Sequence, residues 1–489
     1  MTFDELLKLV RSPDRPRLCD DSRQVCPDDI FVAVKGPNVD GHDFISQALA
    51  NGAKYIVFQK KLAPQFIGGL RASSIENRVL VIPVPDSSLA LAVLAQASAG
   101  DPASKLTNLA VTGTNGKTTV AFLVRSCFQV AGQKCGLIGT VIYDTGLAVT
   151  NAELTTPDCL TIAQAQSQML KAGAKYMVIE ASSHALDQNR LAAINFKAAA
   201  FTNLTGDHLD YHKTTENYLA AKSKLFENLS PDSTAILNKQ SPFAKQIAQS
   251  TKAKVLFFAV DEDADLSAHI KSIDISGTTF TLRYHGQNLT IKTPLLGRYN
   301  VANHLAAAGL CIASGLDLKT IARGLAALTA IPGRLEKVPS QSGFTVLVDY
   351  AHTDDALYNV LSTLKPLCKA NLIVVFGCGG DRDKTKRPRM AKVVEQFADL
   401  AIVTSDNPRT ENPNDIITQI TAGFKDPHSP KIKVEPDRRK AIALAIESAE
   451  KDDVVLIAGK GHENYQIIGK QKFPFSDKQI ALDLLKNIK

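Results

Sequence analysis

One uninterrupted run constrains the chain most: an apolar strand candidate, Leu109-Ala110-Val111-Thr112, then Gly113-Thr114-Asn115-Gly116-Lys117-Thr118-Thr119, then an apolar helical pattern. A glycine turn between strand and helix aims backbone N–H groups and the positive end of the helix dipole at one point, an arrangement that suits phosphate oxygens. Lys117 adds a point charge, and the Thr118 hydroxyl can ligate magnesium. The general spacing GxxxxGK[ST] is not met in full, because Val111 stands where its first glycine would be. An ordinary glycine turn before a helix is the alternative, but strand, lysine and both threonines stand in register. After Asn238, Lys239-Gln240-Ser241 does not complete a guanine-reading NKxD, so ATP is the expected nucleotide.

Such a cradle belongs to the α/β class, and the 489 residues leave room for about three domains. A polar stretch at 98–104 and the Pro332-Gly333 turn divide the chain into residues 1–100, 101–332 and 333–489. With 45% hydrophobic and 21% charged residues, the composition excludes a mainly disordered protein. No apolar run reaches the about 18 residues of a membrane span, and Asp4 and Glu5 stand where a secretory signal is positive. A cytoplasmic protein without a membrane partner is expected. Eight cysteines without a CxxC pair argue against a zinc site or a disulfide framework. The net charge of +7 comes without a basic block, so nucleic acid is not an expected partner, and an acidic small substrate fits.

Apolar runs at 176–179 and 198–201 alternate with helical patterns, which predicts a mostly parallel sheet with crossover helices. The first run delivers Glu180 at its carboxyl end, either as a hard ligand for magnesium held by Thr118 or as an exposed strand-end acid. Asp207-His208-Leu209-Asp210-Tyr211-His212 is rich in metal-capable groups, with solvated histidines as the plainer reading. On the helical pattern 216–229, Lys222 has Tyr218 and Leu219 one turn before it and Leu225 and Phe226 one turn after, so it lies on the apolar stripe. Lys224 faces the polar side. A lysine placed like Lys222 either snorkels to water or has a lowered pKa that chemistry can use.

In the last third, apolar strands at 345–348, 372–376, 400–403 and 454–457 each end in a polar turn. The endings are Asp349-Tyr350-Ala351-His352, Gly379-Gly380-Asp381-Arg382, Ser405-Asp406-Asn407-Pro408-Arg409 and Gly459-Lys460-Gly461-His462-Glu463. Strand carboxyl ends line the ligand crevice of an open parallel sheet, so the four should converge on one site.

These motifs, in this order, resemble the Mur ligases of peptidoglycan synthesis. The resemblance runs from Asp21-Ser22-Arg23 and Phe31-Val32-Ala33-Val34-Lys35-Gly36 through the glycine loop, Thr155-Thr156-Pro157 and Glu180-Ala181-Ser182-Ser183-His184. It continues through 207–212, Gly297-Arg298-Tyr299-Asn300, Pro332-Gly333-Arg334 and the four strand ends. It implies a three-domain fold: an N-terminal α/β domain for a uridine nucleotide, a central ATPase domain with a mostly parallel sheet, and a Rossmann-like C-terminal domain for an amino acid. The implied reaction extends UDP-N-acetylmuramoyl-L-alanyl-D-glutamate by a third amino acid through an acyl phosphate, with ATP as co-substrate, Mg2+ as cofactor and the enzyme a monomer.

By the same resemblance the catalytic residues are Lys117, Glu180, His208, Lys222 and His352. Thr118 and Glu180 serve one metal ion, and His208 and a carbamylated Lys222 the other. Asn303, Arg334 and Asp349 join the loop in holding ATP. Asp20, Ser22, Pro37, Asn38 and Val39 surround the uridine, and Thr155, Thr156, Ser182, Gln188 and Arg190 the muramoyl peptide. Arg382, Asp406, Asn407, Pro408, Arg409, Gly459 and Glu463 receive the amino acid. The tetrapeptide Asp406-Asn407-Pro408-Arg409 resembles the subgroup that adds meso-diaminopimelate, whose far carboxylate a guanidinium can grip, whereas the terminal ammonium of lysine would be repelled.

Three other readings are a lysine-adding relative, a folylpolyglutamate synthetase and an ATP-binding regulatory protein. Arg409, the early uridine-type motif, and the set Glu180, His208 and Lys222 speak against them in turn. Asp354 stands where the family usually has proline; if Thr353 caps a helix there, an acid in the first turn still suits the dipole. Cys378, between Gly377 and Gly379, reads as close backbone packing rather than a nucleophile.

Overall fold

The computed structural model describes residues 1–37, 39–59 and 79–486. Among them, three parallel-rich sheets follow one another along the chain, each flanked by helices. In the first, Leu18–Cys19, Ile30–Val32, Tyr55–Gln59 and Leu80–Val84 run parallel in that order. The helix Ser87–Ser98 packs beside them, its start fixed by Asp86, whose carboxylate accepts from the Ser88 and Leu89 N–H groups. From this helix Gln96 donates to Gln166 at 2.7 Å, and Gln166 donates to Asn108 at 3.1 Å. That buried amide chain ties the first unit to the central one.

The central sheet orders its parallel strands as Leu266–Asp274, Lys254–Val260, Thr234–Asn238, Phe196–Phe201, Thr107–Thr112, Tyr176–Glu180 and Cys135–Ile138. The chain leaves Thr107–Thr112 to build one side of the sheet and later the other, so the end of this strand is the point where strand order reverses and a ligand crevice opens. The expected parallel sheet is present, and hairpins extend both edges. Between Gly277–Tyr284 and Gln287–Thr293 the turn residues His285 and Gly286 both have positive φ, +44° and +76°. Two such residues give the turn twist that antiparallel strands require. The helix Lys117–Val130 packs against Arg298–Ala313 and Leu318–Ala327. A Cβ at Gly324 would collide with the Cys127 backbone, so glycine sets that close approach.

In the C-terminal sheet the order is Glu336–Val338, Thr345–Asp349, Val454–Ala458, Leu372–Phe376, Leu400–Val403 and Ile432–Val434, all parallel except the first. The four strands read from sequence are its centre. Arg438 and Asp477, both fully buried, are joined by two bonds of 2.8 and 2.7 Å and hold the helices Arg438–Glu447 and Asp477–Leu485 together. Removing one partner of such a pair would strand a buried charge, at a cost of about 3–5 kcal/mol. Thr353 caps the helix Asp354–Leu364, accepting from the Ala356 N–H, and Asp354 pairs with Arg389 at 3.0 Å. The acid in place of proline therefore starts its helix normally. No helix among the described residues is long and apolar enough to cross a membrane.

Candidate active site

The glycine loop closes on itself through two lysines. Lys117 Nζ donates to the carbonyls of Gly113 and Thr114, each at 2.9 Å, and Lys222 Nζ donates to the same Gly113 carbonyl at 3.0 Å. Glycine is required twice here. Gly113 has φ +146° and a Cβ there would collide with Thr202 Oγ1; Gly116 has φ +90° and its Cβ would collide with Asn303 Oδ1. The second contact also places Asn303 against the loop.

Lys222 is 1% exposed, so it does not snorkel to water. Its Nζ lies 4.4 Å from the centre of the Tyr218 ring, one turn earlier on the helix Thr215–Glu227. Burial, and then the neighbouring Lys117 ammonium, pull it well below the usual lysine value. Lys224 instead pairs with Asp187 at 2.7 Å, half-exposed. Lys117 is also pulled down by burial, against the opposing charges of Glu180 and Asp207.

Glu180 is fully buried, not an exposed strand-end acid. Its strand pairs with the one feeding the loop, and its carboxylate accepts from Thr118 Oγ1 at 3.0 Å and from the N–H and hydroxyl of Thr140, both at 2.8 Å. His208 has φ +56°, and its Nε2 lies 3.6 Å from Asp207 Oδ2. Although 44% of its side chain still meets the open cleft, the surrounding walls push the imidazole down to about 4 against the pull of Asp207.

The C-terminal unit completes a cleft of about 590 Å³ over the loop. Arg334 donates to Thr118 Oγ1 at 3.2 Å, and its guanidinium lies 4.7 Å from the Tyr350 ring centre. Asp349 accepts from the Leu335 and Ala351 N–H groups at 2.6 and 2.7 Å, and burial raises its pKa. His352 is bonded through Nδ1 to the Tyr350 carbonyl at 2.8 Å, and burial pushes its imidazole down to about 4. Asp355, which sequence reasoning missed, accepts from Asn115 Nδ2 at 2.6 Å and Thr205 Oγ1 at 3.1 Å. It docks the C-terminal unit directly onto the loop.

Toward the N-terminal unit, Arg190 donates to Gln188 Oε1 and to the Thr156 carbonyl at 2.7 Å each, and Gln188 donates to Tyr211. Thr155 meets Thr140 at 3.1 Å. Thr156 is buried, donating to the Glu180 carbonyl and accepting from the Ser182 N–H, while the Ser182 hydroxyl caps a short helix at Ala185. The hydroxyls of Thr156 and Ser182 therefore shape the wall. Ser22 is buried against Gln47 at 2.8 Å, Asp20, Pro37 and Val39 are exposed, and Asn38 lies outside the described residues.

The four C-terminal strand ends share one edge of their sheet, linked in part by direct bonds. The Gly459 N–H donates to the Asp349 carbonyl, Arg409 Nη1 to the Gly380 carbonyl at 2.8 Å, and Asn407 Nδ2 to Glu463 at 2.9 Å. Arg409 has φ +51° and donates its backbone N–H to Ile467 in the hairpin of Tyr465–Ile468 and Gln471–Pro474, two strands that the sequence reading did not find. Gly459 is needed where a Cβ would press on Asp406 Oδ2 at 2.8 Å. Pro408 leads the turn into Arg409, and Arg382 is exposed, its guanidinium on the Asp381 carbonyl. Thr140 and Asp355 carried no signal as single residues, and Lys460 stood in a strand-end turn without a role of its own; only their tertiary neighbours give them a place.

Cys378 is buried, its Sγ 3.4 Å from Met390 Sδ, and a Cβ at Gly377 would collide with the Thr404 carbonyl. Burial pushes its thiol up to about 12, so it carries no thiolate near neutrality.

Descriptions of three families match successive parts of the chain: "Mur ligase family, catalytic domain" at residues 18–99, "Mur ligase middle domain" at 111–311 and "Mur ligase, glutamate ligase domain" at 333–461. The UDP-N-acetylmuramoyl-L-alanyl-D-glutamate--2,6-diaminopimelate ligase of Geobacillus thermodenitrificans is 42% identical over 97% of this chain and 96% of its own length. The protein of that name from Bacillus cereus is 42% identical over 95% of this chain and 93% of its own. A solved structure of that name is 33% identical with a TM-score of 0.66, covering 97% of this chain and 96% of that one. A MurF ligase from Thermotoga maritima in complex with ADP shares the fold at 19% identity, with a TM-score of 0.62 over 99% of this chain and 97% of that one.

Alkylation at about pH 8 should reach exposed Cys26 first and Cys378 only after unfolding. Peptide mass spectrometry of a time course checks this, and early modification of Cys378 would contradict its burial.

Proposed function

The chain belongs to the Mur ligase family, and on that premise we propose that it joins meso-diaminopimelate by an amide bond to the D-glutamyl carboxylate of UDP-N-acetylmuramoyl-L-alanyl-D-glutamate, consuming ATP. The observation that carries the reading is the pairing of a lysine-closed phosphate loop with a C-terminal edge that offers acids and arginine together. We assign residues 1–100 to the nucleotide substrate, 101–332 to ATP and 333–489 to the amino acid. The enzyme works as a monomer in the cytoplasm, without membrane or nucleic-acid partners.

In the first step the terminal phosphoryl group of ATP passes to the substrate carboxylate, giving an acyl phosphate and ADP. In the second, the amine attacks the acyl carbon, the C–N bond forms and phosphate leaves. Both steps gather negative charge at one place, so fixed cations and donors supply most of the rate. Gly113, Thr114, Asn115, Gly116 and Thr119 present the loop to the phosphates, Lys117 offers its charge, and Asn303, Arg334 and Asp349 close the nucleotide side. Thr155, Gln188 and Arg190 orient the peptide, with Thr156 and Ser182 shaping its wall and Asp20, Ser22, Pro37, Asn38 and Val39 at the uridine end. His352, whose imidazole burial keeps neutral, lines the cleft and can accept a hydrogen bond from the incoming amine, whose proton passes to the departing phosphate or to water.

The oxygen donors beside the loop fit a magnesium ion, since the Thr118 hydroxyl and the Glu180 carboxylate are hard donors lying together. Bound magnesium would offset charge on the phosphate oxygens. His208 offers a neutral imidazole, but Lys222 as an amine or ammonium is no ligand for a hard cation. Its buried amine, pulled well below the usual lysine value, suits capture of carbon dioxide, and the carbamate formed with release of a proton would supply the missing carboxylate.

Arg409 spends one N–H on Gly380 and keeps the rest of its fork for the distal carboxylate of diaminopimelate, with Arg382 on the adjoining strand-end turn. Asp406, Asn407 and Glu463, turned by Pro408 and Gly459, face its ammonium.

Purified protein with ATP and the nucleotide dipeptide should release phosphate with meso-diaminopimelate and far more slowly with lysine; equal use of both would remove the assignment. Arg409→Ala should cost about 2–3 kcal/mol of amino-acid binding, about 30- to 150-fold in its KM, with nucleotide binding retained. Steady-state kinetics in each substrate checks this, and an unchanged amino-acid KM would contradict it.

A further inference from the structure

Behind the residues assigned to the amino acid lies a lysine with no role so far. Lys460 follows Gly459 at the end of the strand Val454–Ala458, and its side chain is wholly buried, whereas the end of a lysine normally reaches water. Its Nζ donates to Glu463 Oε2 at 2.8 Å and to Asn407 Oδ1 at 3.1 Å, and stands 3.8 Å from Asp406 Oδ1. The Tyr465 ring lies on another side, its centre 5.6 Å from Nζ. All three polar partners are residues proposed to hold the far end of the amino acid.

The charges in this wall can be paired off. Arg438 is matched by Asp477, and its other N–H groups go to the Ala458 and Ser405 carbonyls. Arg409 points a bond at Gly380 and faces the carboxylate position. Lys460 is then left to offset one of the two carboxylates, Asp406 and Glu463, so that together they keep a single negative charge for an incoming ammonium. Without it, two like charges would face each other, and Asn407 Oδ1 would keep only the Ile467 N–H as donor.

We propose that Lys460 is a positioning residue that fixes Asp406, Asn407 and Glu463 around the distal ammonium and makes the site select an amino acid whose far end carries both an ammonium and a carboxylate. One net negative charge beside Arg409 matches a zwitterionic end. Two negative charges would hold an ammonium alone, which is what lysine offers. The inference rests on the amino-acid site proposed above. The wild-type comparison of the two amino acids tests that site by itself, and the variants below test Lys460.

Lys460→Met keeps the length of the side chain and removes its charge. Its diaminopimelate KM should rise about tenfold or more, with the KM for ATP and for the nucleotide dipeptide within about twofold of wild type. The ratio of kcat/KM for diaminopimelate over lysine should fall. Lys460→Met/Glu463→Gln, with one carboxylate left, should be no worse toward diaminopimelate than Glu463→Gln alone, because the two effects share a partner. Thermal unfolding of each variant reports its fold. Should Lys460→Met not fold, Lys460→Gln, which keeps a donor but no charge, carries the same expectations. A folded variant with unchanged diaminopimelate KM and ratio, a parallel rise in all three KM values, or full additivity in the double variant would overturn the proposal.

Discussion

Two lysines share one carbonyl oxygen. Lys117 comes from the helix that the glycine loop begins, Lys222 from a helix over a hundred residues later, and both Nζ atoms donate to Gly113. Burial pulls both ammonium groups down, and Lys117 adds to the pull on Lys222 against the charge of Asp207, so the arrangement favours losing a proton or gaining further negative charge. The rest of the central unit answers to that constraint. Gly113 must lack a Cβ, Tyr218 must offer the face of its ring to Lys222, and Glu180 must bring a carboxylate to the Thr118 side of the loop.

The same loop is where the units meet. Asp355 takes Asn115, and Arg334 reaches Thr118, so the C-terminal sheet is fastened to the phosphate cradle by side chains that also line the cleft. Asp349 adjoins Gly459 across neighbouring strands, which carries the connection on to the acids and arginine at the edge proposed for the amino acid. A phosphorylated carboxylate and an attacking amine can therefore be held by one continuous framework, and positioning of this kind removes much of the cost of bringing reactants together.

Periodicity exposed Lys222, since an apolar stripe on a helix that contains a lysine is visible without a structure, and strand-end position exposed Glu180 and the four C-terminal turns. Carbamylation was never readable from spacing and entered only with the family resemblance. Thr140 and Asp355 stayed hidden because nothing local distinguishes them, and Lys460 stood in a legible turn without a role of its own; each matters through a neighbour supplied by a distant stretch of chain. The edge hairpins were missed for a related reason, as their turns depend on positive φ at His285 and on similar backbone choices that a parallel-strand pattern does not announce.

On the proposed reading, carbon dioxide converts the buried Lys222 amine to a carbamate with release of a proton. Carbon-13 NMR of the protein equilibrated with labelled bicarbonate tests it most directly. The account predicts one carbamate resonance in the wild type, strengthened by magnesium and missing from Lys222→Arg. No such resonance in the active enzyme, or one that persists in the variant, would contradict it.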